Sequence, residues 1–86
     1  MRIRFSRKFT KLYEKAPVKN QRVFEKRLEL FKEDPANQLL NNHQLKGDFR
    51  GYRSMNVSGD WRAIYREINA DEVIFELLGT HGQLYG

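Results

Sequence analysis

Eighty-six residues make one domain, and a chain this short buries only a modest core. A hydrophobic share of 40%, with one Trp, four Tyr and six Phe, is too high for a disordered chain, and the absence of cysteine excludes a disulfide framework and a thiolate metal site. The formal net charge of +5 suits a polyanionic partner (nucleic acid, an acidic protein or an anionic membrane surface) unless it marks only a solvated basic surface.

Residues 1–5 alternate, with Met1, Ile3 and Phe5 on one side and Arg2 and Arg4 on the other, which predicts a short half-buried strand. Ser6 is placed to cap a helix in which Phe9, Leu12, Tyr13 and Ala16 follow at helical spacing. Pro17 ends that helix or opens the next, which runs from Val18 to Asp34 with Val23, Phe24, Leu28 and Phe31 as its apolar stripe. Residues 35–48 read as a polar connection. Phe49–Val57 reads as a strand, Ser58-Gly59 as a turn, Asp60–Ile68 as a second strand and Glu72–Leu78 as a third; Gly79 breaks the pattern and Thr80–Gly86 reads as a tail. The expected fold is α+β: a short N-terminal strand, a helical hairpin and a three-stranded antiparallel meander, with the helices on one face of the sheet. Alternation does not decide which side of the 49–68 hairpin faces the helices. No segment approaches the roughly 18 apolar residues of a membrane span, and no apolar run of signal-peptide length follows the basic stretch 1–9. A cytoplasmic protein with no membrane partner is therefore expected.

Candidate chemistry lies in the second half. His43 and His81 flank the meander, where strand ends come close, so the two side chains best suited to proton transfer near neutral pH can converge on one site. A lone histidine is more often a hydrogen-bonded surface residue. Asp60, beside the turn, is either a turn former or a carboxylate that orients a proton-transfer group. Arg50, Arg53, Arg62 and Arg66 lie on one hairpin; their guanidinium forks match phosphate oxygens, although basic residues also simply solvate a strand face. Phe49, Tyr52, Trp61 and Tyr65 are interleaved with them and suit stacking on unpaired bases, with Tyr52 and Tyr65 better read as core. Tyr85 is a mobile stacking platform, a phenolic donor or an ordinary terminal residue. Together these groups supply what RNA cleavage through the 2′-hydroxyl requires: a base, an acid and a cation. With two distant histidines and no cysteine, neither a metal nor another cofactor is expected.

The runs His43-Gln44-Leu45-Lys46-Gly47, Gly51-Tyr52-Arg53, Val57-Ser58-Gly59-Asp60-Trp61-Arg62-Ala63-Ile64-Tyr65 and Gly79-Thr80-His81-Gly82-Gln83-Leu84-Tyr85-Gly86 resemble YafQ-type toxins of the RelE/ParE superfamily. The N-terminal half is similar only in outline. The resemblance implies one RelE/YafQ-like domain over 1–86 with a microbial ribonuclease-like sheet. It implies endonucleolytic cleavage of mRNA, usually in the ribosomal A site, and neutralisation by a cognate acidic antitoxin. It implies His43 as general base, His81 as general acid, and Asp60 and Tyr85 as further active-site residues. It also implies Trp61 as the partner of that aspartate and Arg62 as a contact to the scissile phosphate, joining Arg50 and Arg53 as RNA-binding expectations. One departure stands out: Asn56 occupies a position where some members carry a further histidine, and asparagine cannot shuttle a proton. Two other readings stay open: a ParE-like gyrase inhibitor on the same fold, and a non-catalytic RNA- or ribosome-binding module.

Overall fold

Alternation at the N-terminus produces the expected strand, β1 (Arg2–Phe5), with Ile3 packed against the core. A computed structural model describes all of residues 1–86. Ser6 caps helix α1 (Arg7–Lys15): its Oγ accepts from the Phe9 amide at 3.0 Å, satisfying a donor that a helix start leaves unpaired. Pro17 precedes α2 (Val18–Glu33). Phe9 of α1 and Phe24 and Phe31 of α2 are buried, with Leu12, Val23 and Leu28 packed on the same cluster.

The remaining strands are β2 (His43–Gln44), β3 (Arg53–Asn56), β4 (Trp61–Asn69) and β5 (Glu72–Thr80), and a single turn of α-helix, α3 (His81–Tyr85), follows. One five-stranded sheet results, in the order β1-β5-β4-β3-β2, with β1 parallel to β5 and every other pair antiparallel. The α+β class and the helices on one face agree with the sequence reading.

Cross-strand register sorts the side chains. Met55, Ala63 and Leu78 form one row, and Arg53, Tyr65 and Phe75 another; Met55, Ala63, Leu78, Tyr65 and Phe75 belong to the helix-side core. The intervening rows, Ser54–Ile64–Leu77 and Asn56–Arg62–Gly79, face the other way, as period two requires. The hairpin ambiguity is thereby resolved: Ala63 and Tyr65 face the helices, Arg62 and Ile64 do not. A bulge makes this possible. Ile64 pairs with Leu77 but Tyr65 pairs with Phe75, so Glu76 is an extra residue on β5, and Phe75 and Leu78, three apart, reach the same core.

Three boundaries differ from the sequence reading. The expected strand 49–57 shrinks to Arg53–Asn56, because Gly47 and Gly51 take φ of +65° and +93° and turn residues 47–49 into a one-turn 3₁₀ helix. The polar connection contains a fifth strand, β2, too short for alternation to reveal. Gly79 does not end β5, and the expected tail is α3.

Helix α2 also braces the turn that leads to β4. Asn20 Nδ2 donates to Ser58 Oγ at 3.1 Å, and Arg27 Nε donates to the Val57 carbonyl at 3.2 Å.

Phe75 is 0% exposed, and its ring lies 5.2–5.9 Å from those of Phe5, Phe9, Phe24, Phe31 and Tyr65. Truncating it opens a cavity where α1, α2, β1 and β4 meet. Phe75→Ala is expected to lose about 3–5 kcal/mol in urea unfolding; a loss below about 1 kcal/mol, the scale of a surface change, would contradict this packing.

Candidate active site

The face turned away from the helices is partly roofed. Ile64 is 0% exposed although it lies outside the helix-side cluster. Residues 45–52 fold over this side, with the Leu45 amide donating to the Tyr52 carbonyl at 3.0 Å. From that loop Phe49 meets Tyr85 edge-on at 5.5 Å, and the Tyr85 ring lies 4.6 Å from the His81 imidazole.

His81 owes its place to the strand-to-helix junction. Thr80 Oγ1 accepts from the Gln83 amide and Gln83 Oε1 accepts from the Thr80 amide, closing a capping box. Gly79 leaves room for it: a Cβ there would meet Gln83 Oε1 at 3.0 Å and Leu84 at 3.5 Å. The His81 amide donates to the Asp60 carbonyl at 2.8 Å, extending the β4–β5 ladder by one bond.

Between the loop and α3 lies an open cleft of about 400 Å³. His43 and Asn41 enter it from the β2 edge, Leu45, Lys46 and Phe49 from the loop, Ser54 and Arg62 from the sheet, and His81 and Tyr85 from α3. No acidic side chain lines it, so Lys46 and Arg62 give it a positive field.

His43 Nδ1 lies 2.7 Å from the Asn41 carbonyl oxygen. A carbonyl only accepts, so Nδ1 carries the hydrogen, and neutral His43 holds its lone pair on Nε2. Arg62 Nη1 donates to the carbonyls of Gly59 and Trp61, each at 2.9 Å, which fixes the guanidinium and leaves the Nε and Nη2 hydrogens for a ligand. Ser54 is 1% exposed and its Oγ has no partner; Asn56 Oδ1, in the next row on the same face, is likewise buried and unpaired. Such groups are costly to bury, and of the two only Ser54 lines the cleft.

The cleft thus brings together four expected residues: His43, His81, Tyr85 and Arg62. Asp60 is exposed and adjoins His81 through its backbone carbonyl. Trp61 packs against the helix-side core and does not line the cleft. Arg50 is exposed beyond the loop's 3₁₀ turn, outside the lining. Arg53 shares the row of Tyr65 and Phe75 and donates to Asn42 Oδ1 on the helix side. Tyr65 is core, as read; Tyr52 is only half-buried, edge-on to Phe49. Phe49, read as a stacking aromatic on a strand, lines the cleft from the loop instead. Sequence reasoning left out Lys46 and Ser54. Lys46 stands inside the HQLKG run, which was the available signal, whereas Ser54 needed the register. No three His, Cys, Asp or Glu side chains are grouped as a metal site requires.

A second hollow, of about 320 Å³, lies on the helix side among Phe5, Phe9, Tyr13, Phe24 and Leu28. Its polar pair is Tyr13 and Glu25: the Tyr13 hydroxyl donates at 2.6 Å, and that bond, with desolvation and the carboxylate charge, raises the tyrosine pKa.

The family model for the YafQ toxins of bacterial type II toxin–antitoxin systems matches residues 1–86. The chain belongs to that family. The mRNA interferase toxin YafQ of Escherichia coli K12 is 38% identical over 53 residues, a stretch covering 60% of this chain and 55% of that relative. The chain thus spans little more than half the length of the curated relatives it matches. Among solved structures, YafQ from E. coli BL21(DE3) superposes with a TM-score of 0.83 at 26% identity, covering 100% of both chains. The E. coli DinJ–YafQ complex gives 0.73 at 26%, also over 100% of both. The YoeB/ParE toxin of Agrobacterium tumefaciens, at 20% identity and TM-score 0.77, shares the fold over 94% of this chain and 99% of its own.

In this YafQ-family chain the Asn41 carbonyl is expected to fix the His43 tautomer. Long-range ¹H–¹⁵N spectra of the neutral ring should show the hydrogen on Nδ1. A ring protonated mainly on Nε2 would contradict the geometry.

Proposed function

We propose that this chain is the toxin of a type II toxin–antitoxin pair and an endoribonuclease that cleaves mRNA by attack of a ribose 2′-hydroxyl on the adjacent phosphate. The observation that carries this reading is one cleft holding two histidines, Lys46, Arg62 and Tyr85, with no acidic side chain. The E. coli relatives are named mRNA interferase toxins, which supports it.

In the proposed step His43 Nε2 takes the 2′-hydroxyl proton. The oxygen bonds to phosphorus as the bond to the leaving 5′-oxygen breaks, and the His81 imidazolium protonates that oxygen. The products are a 2′,3′-cyclic phosphate and a 5′-hydroxyl, and no metal enters the step. Arg62 and Lys46 stabilise the charge that gathers on the phosphate oxygens. Tyr85, braced by Phe49, stacks on a base beside the cut. Asp60 acts on His81, whose amide its carbonyl already holds. Asn56 cannot move a proton, which leaves His43 and His81 as the acid–base pair.

The proposed substrate state is mRNA in the ribosomal A site, and the proposed inhibitor is an acidic antitoxin that covers the positive cleft. E. coli YafQ has been solved in a toxin–antitoxin complex with DinJ, which supports such a partner. The cytoplasm is the compartment that fits such a substrate, and no helix of the chain is long and apolar enough to cross a membrane.

Primer extension on a reporter mRNA, with and without programmed ribosomes, tests the reading. The parent is expected to cut, and His81→Ala to cut about 10²–10⁴-fold more slowly. Cuts only with ribosomes place the substrate there; cuts on free RNA make the nuclease independent. A folded His81→Ala protein that cuts like the parent overturns the assignment. No cleavage in any arm would favour gyrase inhibition or a non-catalytic binding module.

A further inference from the structure

His43 sits in a strand of two residues at the outer edge of the sheet, and it is exposed. So short a ladder does not by itself hold a ring to the tolerance that proton transfer needs. Its neighbours supply the restraint. Leu40, 0% exposed, anchors the chain in the core just before it. Asn41 then takes φ +44°, the left-handed conformation, and its carbonyl meets His43 Nδ1.

Asn42 lies between them and its side chain passes to the opposite face of the sheet. There Nδ2 donates to Tyr65 Oη at 2.7 Å and to the Pro35 carbonyl at 3.0 Å, while Oδ1 accepts from Arg53 Nε at 2.9 Å. Both amide hydrogens and the amide oxygen are engaged. Tyr65, 3% exposed, is wedged against Phe31 and Phe75 at 5.0 and 5.2 Å. Burial raises the Tyr65 pKa, with the Asn42 bond and the Arg53 charge pulling the other way, so its hydroxyl stays neutral at physiological pH.

We propose that Asn42, gripped by Tyr65, Arg53 and Pro35 on the helix side of the sheet, is the positioning residue that keeps the Asn41 carbonyl on His43 Nδ1 and so presents Nε2 to the cleft as a proton acceptor. Arg53 then serves the site through Asn42 and not through phosphate. The catalytic consequence rests on the ribonuclease reading above; the effect on the ring does not.

Two variants test it, Asn42→Ala, which removes all three bonds, and Tyr65→Phe, which removes a single hydroxyl. The first readout is the neutral His43 tautomer by ¹H–¹⁵N correlation in RNA-free protein. The hydrogen is expected to shift from Nδ1 toward Nε2, the form a free side chain favours, more in Asn42→Ala than in Tyr65→Phe. The second is single-turnover cleavage, expected to fall about tenfold to a hundredfold in Asn42→Ala with RNA affinity unchanged. Folded variants that keep both the parent tautomer and the parent rate overturn the proposal. If Asn42→Ala does not fold, the tautomer in Tyr65→Phe decides. A tautomer that shifts as expected in a protein whose parent cuts no RNA upholds the positioning role and overturns the ribonuclease reading instead.

Discussion

The register of β3, β4 and β5 is the constraint on which the rest depends. Side chains alternate between the faces, so slipping β4 by one residue would send Arg62 into the phenylalanine core and Ala63 into the cleft. The Glu76 bulge and the rings packed around Phe75 hold that register on the helix side. The row Asn56–Arg62–Gly79 is its consequence on the other side: one orphaned amide oxygen, one tethered guanidinium, and one missing side chain that lets α3 fold back and carry His81 over the sheet. Core and cleft are thus two readings of a single pairing pattern.

Charge is distributed on the same plan. Some acidic residues elsewhere on the chain are paired: Glu76 with Arg66 at 2.9 Å, Glu72 with Arg4 at 3.7 Å, Glu29 with Lys32 at 3.5 Å, and Glu25 with the Tyr13 hydroxyl. No acidic side chain lines the cleft that holds Lys46 and Arg62. Pairs near the surface contribute little to stability. Their arrangement matters more for where a polyanion settles, because the two cations of the cleft share its lining with no carboxylate.

Much of this was legible from residue order. Ser6 as a cap, the α2 stripe, Tyr65 as core and the convergence of His43 with His81 follow from periodicity, capping chemistry and the flanking of a meander. Arg53 and Arg62 show the limit. Both stand on the same hairpin as strand arginines, yet nine positions apart they fall on opposite faces, a difference that only the turn and the pairing decide. Phe49 looked like a strand residue because it is aromatic; two glycines in left-handed conformations bend its segment into a loop over the cleft. The grip on Asn42 was not readable at all, since Pro35, Arg53 and Tyr65 are far apart in sequence and meet only through the fold.

If RNA is held on the face of the sheet opposite the helices, titrating ¹⁵N-labelled protein with a 2′-O-methyl oligoribonucleotide, which cannot be cut by its own 2′-oxygen, will show it. Shift changes are then expected to concentrate at His43, Lys46, Phe49, Ser54, Arg62, His81 and Tyr85, with α1 and α2 unperturbed. Changes confined to the α1–α2 surface, or none at the cleft at saturating oligonucleotide, would contradict it.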